Sequence, residues 1–294
     1  MPERVYPTFT CVSAFPQRRP GKVRVMDYVS GYKLPQITVL FWVLKIAATT
    51  LGETGGDMLS QTLNLGYVAA SVVLFAIFLV ALVVQLRVRR FHPALYWLVI
   101  AATSTAGTTM ADLLTRGPGS GTSTDGGLGY AGGAMVLIAG LALVFAVWKV
   151  TGLSYDVTRV TTFRGELLYW AAILLSNTLG TTTGDYLADE TGLGYWRAAV
   201  VIAVVMAVIL AAHYFTRISG VVLFWIAFIL TRPLGATVGN YLSKERSKGG
   251  LELGTYTVSA VLAAVLIAGV VYTYIAMRRT EEPVARDLVG ADAE

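Results

Sequence analysis

Trp42-Val43-Leu44-Lys45-Ile46-Ala47-Ala48-Thr49-Thr50-Leu51-Gly52-Glu53-Thr54-Gly55-Gly56-Asp57 decides the fold, because the chain writes its frame four times. The frame is a Trp, a Gly ten residues on, and an Asp or Asn fifteen residues on. It recurs as Trp97/Gly107/Asp112, Trp170/Gly180/Asp185 and Trp225/Gly235/Asn240. Each copy begins in an apolar run, ends in a Gly/Thr-rich stretch and is followed by a second apolar run. Repetition at fixed spacing marks a repeat architecture.

Composition fixes the class. The chain is 55% apolar and 14% charged, with mean hydropathy +0.63, against about 45–50% and 25% in soluble domains. Apolar runs such as 67–86, 131–148, 198–212 with its flanks, and 258–277 reach the roughly 20 residues that cross a bilayer core. Counting the repeat helices gives eight spans, an all-α integral membrane protein.

Basic residues give orientation. They crowd the N-terminal tail (Arg4, Arg18, Arg19, Lys22, Arg24, Lys33), alternate loops (Arg87, Arg89, Arg90; Lys149, Arg159, Arg164; Arg217) and the C-terminal tail (Arg278, Arg279, Arg286). The other loops hold Arg116, Lys244, Arg246 and Lys248, with Arg197 at a helix mouth. By the positive-inside rule both termini are expected in the cytoplasm of a bacterial inner membrane. The net charge of +5 then reflects topology and calls for no nucleic-acid partner. The first 35 residues lack the apolar core of a signal peptide, and a chain begun at Met26 would keep every expected span. The lone Cys11 permits no internal disulfide and argues against a thiolate metal site.

The repeats pair. Trp42 to Trp170, Trp97 to Trp225, Asp57 to Asp185 and Asp112 to Asn240 are each 128 residues. The expected organisation is a cytoplasmic tail (1–32), a first half with spans 1–4 (33–155), a second with spans 5–8 (156–282) and a C-terminal tail (283–294). Each unit holds an even number of spans, so the units are expected to be parallel repeats about an axis along the membrane normal. Even helices are apolar all round and suit lipid. Odd helices turn polar after about 15 residues and are expected to line the centre. Their glycines at fourfold spacing (Gly52/Gly56, Gly180/Gly184, Gly235/Gly239) permit close packing. Tandem two-helix units, four per chain, each with a Trp and a Gly-Asp-type tip, resemble a family of largely uncharacterised bacterial integral membrane proteins. The resemblance covers about residues 33–280; it implies architecture and supplies no substrate.

Counted from each Trp, positions +3, +7, +11 and +15 fall on one slanting helix face. The stripes read Lys45-Thr49-Glu53-Asp57, Ile100-Ser104-Thr108-Asp112, Ile173-Asn177-Thr181-Asp185 and Phe228-Arg232-Ala236-Asn240. Glu53, Asp57, Asp112 and Asp185 against Lys45 and Arg232 leave a sum of −2, so the acids must pair, bind a cation or take up protons. Carboxylates, hydroxyls and amides are ligands for hard cations. The expectation is a proton-coupled exporter of a hard cation such as Mn²⁺. Glu53, Asp57, Asp112 and Asp185 would be metal ligands, Asn240, Thr108, Asn177 and Thr181 neutral ones, and Lys45 and Arg232 counter-ions or gating residues. The ion is cargo; no cofactor is implied. A continuous helix from Pro35 would put Asp57 about 33 Å along, near the outer interface, whereas an unwound Gly/Thr run would put it deeper.

Trp42, Trp97, Trp170 and Trp225 read as packing or interfacial anchors, and Tyr67, Tyr130, Tyr195 and Tyr256 as outer-interface anchors. His92 and His213 lie near the cytoplasmic boundary and are not expected as ligands; Asp125, Asp189 and Glu190 read as solvated. There is no phosphate-binding loop, His-Glu metalloprotease pair or nucleophile elbow, so no enzyme is expected. Two rivals stand beside the cation reading: a transporter or channel for a small organic or anionic solute held by Arg232 and Lys45, and a non-transporting scaffold. The oligomeric state is open.

Overall fold

A computed structural model describes residues 35, 37–88, 91–118, 126–155, 160 and 162–291. The N-terminal tail with Cys11, together with Arg89, Arg90, Asp125 and Arg159, lies outside them. Eight long helices follow in order: α1 Val39–Asp57, α2 Gly66–Arg87, α3 Pro93–Arg116, α4 Gly129–Val150, α5 Phe163–Asp185, α6 Gly194–Phe215, α7 Gly220–Ser243 and α8 Thr255–Ala291. No strand occurs among the described residues.

Local chemistry sets the boundaries. The Thr38 and Thr162 hydroxyls accept from Phe41 N and Gly165 N at the starts of α1 and α5, relieving unpaired first-turn donors. Pro93 opens α3, where its missing N–H is harmless. Gly66, Gly129 and Gly194 carry φ of 74°, 68° and 68° just where α2, α4 and α6 begin, a left-handed turn that side chains resist.

The Gly/Thr stretches stay helical. α1 and α5 run unbroken to Asp57 and Asp185 and each gains one π-helical turn, Met58–Thr62 and Tyr186–Glu190. α3 and α7 end without one, so the first and third units are alike and differ from the second and fourth. α7 also accommodates Pro233, and α8 continues as helix into the stretch expected to be a tail.

Five helices, α2, α4, α6, α7 and the Thr255–Arg278 part of α8, are long and apolar enough to cross a membrane. The polar residues of α1, α3 and α5 hold those three below that mark, and all three pack among the others. The chain has a multi-pass membrane-spanning architecture. α1, α3, α5 and α7 touch in cyclic order, α7 returning to α1. The even helices do not pack mainly on the odd helix that precedes them: α2 lies on α3, α4 on α5, α6 on α7, and α8 closes on α1. Their outward faces carry Val72, Ile77, Val80, Met135, Ile138, Leu143, Val204, Val208, Val261 and Ile267, all exposed, as lipid contact requires.

Candidate functional site

The repeat frame becomes geometry at three levels along the odd helices. At the N-terminal level each helix places an aromatic just before its Trp, and that ring meets the Trp of the next helix. Phe41 lies 5.7 Å from Trp97, Tyr96 5.8 Å from Trp170, Tyr169 6.0 Å from Trp225, and Phe224 5.8 Å from Trp42. The loop of contacts is closed, and the Tyr96 and Tyr169 hydroxyls share a 2.9 Å hydrogen bond within it. Trp97, Trp170 and Trp225 are buried and Trp42 is half-buried. The tryptophans therefore join helix to helix.

One level up, the glycine ten residues past each Trp sits against the +7 residue of the next helix. Gly52 faces Ser104, Gly107 faces Asn177, Gly180 faces Arg232 and Gly235 faces Thr49. A Cβ on Gly52 would stand 2.8 Å from the Ser104 carbonyl carbon, and one on Gly235 2.8 Å from that of Thr49. Such approach is why this position is Gly. The second glycines repeat the device: Gly56 faces Thr108, Gly184 faces Ala236, and Gly239 faces Glu53.

This close packing brings the predicted stripe together. Lys45, Thr49, Glu53, Asp57, Ser104, Thr108, Asp112, Asn177, Thr181, Asp185, Arg232 and Asn240 are all buried. Glu53 is the hub. Its Oε2 lies 3.4 Å from Arg232 Nη2, and the hydroxyls of Thr108 (3.2 Å) and Thr181 (3.4 Å) donate to it. Asn240 Nδ2 donates to Oε1 at 3.0 Å and also to Asp185 Oδ1 at 3.1 Å. One side chain thus links all four odd helices. Arg232 also donates to Thr49 O at 2.8 Å, to Ser104 O at 3.1 Å and to the Thr108 hydroxyl. Asn177 donates to Ser104 Oγ at 3.3 Å. Lys45 sits apart from this network. Its ammonium lies 4.0 Å from the Phe228 ring centroid and has no hydrogen-bond partner.

The stripe runs one step further than +15. Positions +19 are Gln61, Arg116, Asp189 and Lys244, and they cap it. Lys244 Nζ contacts Asp57 Oδ2 at 2.5 Å and Gln61 Oε1 at 3.0 Å, while Gln61 Nε2 donates to Asp57 at 2.7 Å. Burial opposes the charge of Lys244, but the Asp57 carboxylate more than offsets this and holds the ammonium above the usual lysine range. Arg116 bridges Asp112 (3.2 Å) and Asp185 (3.4 Å) and donates to Tyr130, whose hydroxyl donates to Asp189 at 3.0 Å.

Three expectations change. Arg116 and Lys244 are stripe residues and not loop charges, so the stripe to +19 holds four buried acids and the exposed Asp189 against four bases. Asp189 is exposed yet bonded into the cap, not simply solvated. Tyr67 and Tyr195 are buried and Tyr130 serves the cap; only Tyr256, 55% exposed, stands as an interface anchor would. The same i, i+4 step places Arg116 and Lys244 at +19, but a positive charge at a helix end reads equally as a loop charge. Among the described residues no group of three or more His, Cys, Asp or Glu is placed to hold a metal ion, because bases and amides stand between the acids.

One family model, a Repeat of Unknown Function (DUF347), matches at residues 40–91, 95–154, 168–219 and 223–279. Each match takes one odd helix with the even helix that follows. No curated protein and no solved structure matches the chain. With four consecutive copies over most of its length, the chain belongs to the DUF347 repeat family.

Proposed function

We propose that the chain is a secondary transporter of the bacterial cytoplasmic membrane that exports a hard cation of the Mn²⁺ type in exchange for protons. It would cross the membrane eight times as four parallel two-helix units, with odd helices central and both termini cytoplasmic. The observation that carries the reading is Asn240. Its amide nitrogen lies between the Glu53 and Asp185 carboxylates, 3.0 and 3.1 Å from each, while its buried Oδ1 has no partner. That nitrogen stands where a cation would be held, between two carboxylates with a third oxygen at hand.

In the arrangement described, Arg232, Arg116 and Lys244 neutralise the acids. A cation or protons entering the stripe would take their place, and each base would move to another acceptor. Such an exchange keeps the interior near neutrality, which burial of charge demands. The aromatic level and the ion-pair cap would close the two ends in turn.

The test is radiolabelled Mn²⁺ uptake by proteoliposomes. Glu53→Gln and Asp185→Asn should each lower uptake at least tenfold while the purified variants keep wild-type helicity. Uptake equal to wild type in both would sink the proposal.

A second reading rests on the unpartnered Lys45 ammonium, which an anionic solute could satisfy. It predicts that Lys45→Met and Arg232→Met abolish flux of a carboxylate solute while Glu53→Gln spares it. A scaffold would show no flux of any ion.

A further inference from the structure

α4 packs on α5, and α7 on α1, α5 and α6. Between the end of α4 and the start of α7 they leave an open groove of about 930 Å³. Its apolar part is formed by Phe145, Trp225 and Ile226; its polar end by Lys149, Ser154 and Ser219. Lys149 is exposed and is the one charged residue lining the groove among the described residues.

The wall is rigid. Trp225 donates its indole N–H to Tyr155 O at 3.1 Å and meets Phe145 edge-on at 5.3 Å. With its hydrogen bond already met, Trp225 offers an apolar face.

The polar end is not part of the repeat. At the 128-residue offset Lys149 and Ser154 correspond to Met277 and Glu282, and Ser219 to Phe91, whereas Trp225 corresponds to Trp97. The apolar anchor is shared by both halves; Lys149, Ser154 and Ser219 are not repeated at the corresponding positions. An apolar slot opening at one end on an ammonium and two hydroxyls matches an amphiphile with a negative head. In a membrane-spanning chain the groove faces a reservoir of them.

We infer that this groove binds one anionic glycerophospholipid, its phosphate at Lys149 and an acyl chain across Trp225 and Ile226. The inference rests on the membrane architecture and is independent of what the protein transports. Because Trp225 belongs to the aromatic level, the lipid touches one of the four rings that close the stripe.

Native mass spectrometry of the detergent-purified full chain tests this, with phosphatidylglycerol and phosphatidylcholine of identical chains as probes. Wild type should retain one phosphatidylglycerol in preference to phosphatidylcholine. Lys149→Gln should weaken phosphatidylglycerol about fivefold, as expected for one basic residue at a membrane surface, and leave phosphatidylcholine unchanged. Ile226→Trp, which fills the slot, should weaken both lipids. Both side chains are exposed, so unfolding midpoints should match wild type. Equal retention of the two lipids by wild type, unchanged phosphatidylglycerol retention in either variant, or displacement of the lipid by inorganic phosphate overturns the assignment.

Discussion

At the scale of single residues the interior is organised around Glu53 and Arg232. Both side chains are almost fully buried, and the hydrogen bonds that each makes go to other helices, with Arg232 Nε left unpartnered. Such a pair need not add net stability, because desolvating two charges costs about what their attraction returns. Removing one partner is another matter, since a buried charge is left behind. Arg232→Met should therefore destabilise the folded protein by about 3–5 kcal/mol. The double variant Arg232→Met/Glu53→Gln should recover most of that loss. Thermal unfolding of the four proteins in one detergent gives the coupling as a double-mutant cycle. Additive effects would mean that the two side chains do not depend on each other. The positions of Glu53 and Arg232 on one polar face could be read from the i, i+4 stripe. Their direct pairing could not, because it depends on how far each helix is rotated and shifted against the next.

At the scale of helices, the glycines set that rotation and shift. The +10 glycine of every odd helix meets the +7 residue of its neighbour, but the four contacts differ in tightness. Gly52→Ala and Gly235→Ala would drive a methyl into a neighbouring backbone. Each should cost about 1–3 kcal/mol, the usual cost of overpacking. Gly107→Ala, with its nearest neighbour at 3.1 Å, should cost less. Gly220→Ala, with nothing within 4 Å and no positive φ, should be neutral or slightly stabilising. Unfolding midpoints for the four variants would test this order, and equal effects at Gly52 and Gly220 would refute it. Small residues at fourfold spacing announced close packing in the chain itself. What no spacing announced is that each even helix lies mainly on the odd helix that follows it. The outer helices are apolar over nearly all of their surface, so their pattern says little about which neighbour each takes; the few polar side chains say more, as where Ser259 of α8 bonds to the Thr54 hydroxyl of α1 at 2.8 Å. Continuity through the Gly/Thr runs was equally hidden. Helix propensity disfavours these residues, yet burial among other helices holds them helical, as does side-chain bonding to carbonyls four residues back, such as Thr50 to Ile46 and Thr182 to Thr178.

At the scale of the molecule, forward packing interlocks the units: α4 lies on α5 across the midpoint of the chain, and α8 returns to α1. The aromatic ends of the four odd helices meet at one level, and the ends that carry Asp57, Asp112, Asp185 and Asn240 at another. If each odd helix crosses the membrane, the loops after α1, α3, α5 and α7 must emerge on one side and those after α2, α4 and α6 on the other. Charge agrees with this for the even loops, but Arg116 and Lys244 no longer count as evidence, because they belong to the interior. Topology therefore needs its own measurement. Cys11 is the only cysteine, so a Cys11→Ser chain accepts single cysteines at exposed positions. Glu190→Cys and Ser247→Cys should react with a membrane-impermeant maleimide on intact cells. Thr151→Cys and Ile218→Cys should react only after permeabilisation. Labelling of Ser247 and Ile218 from the same side would remove α7 as a span. Labelling of Glu190 and Ser247 from opposite sides would make the third and fourth units antiparallel. Either result would leave the Glu53–Asn240–Asp185 cluster without a bundle in which to move ions from one side to the other.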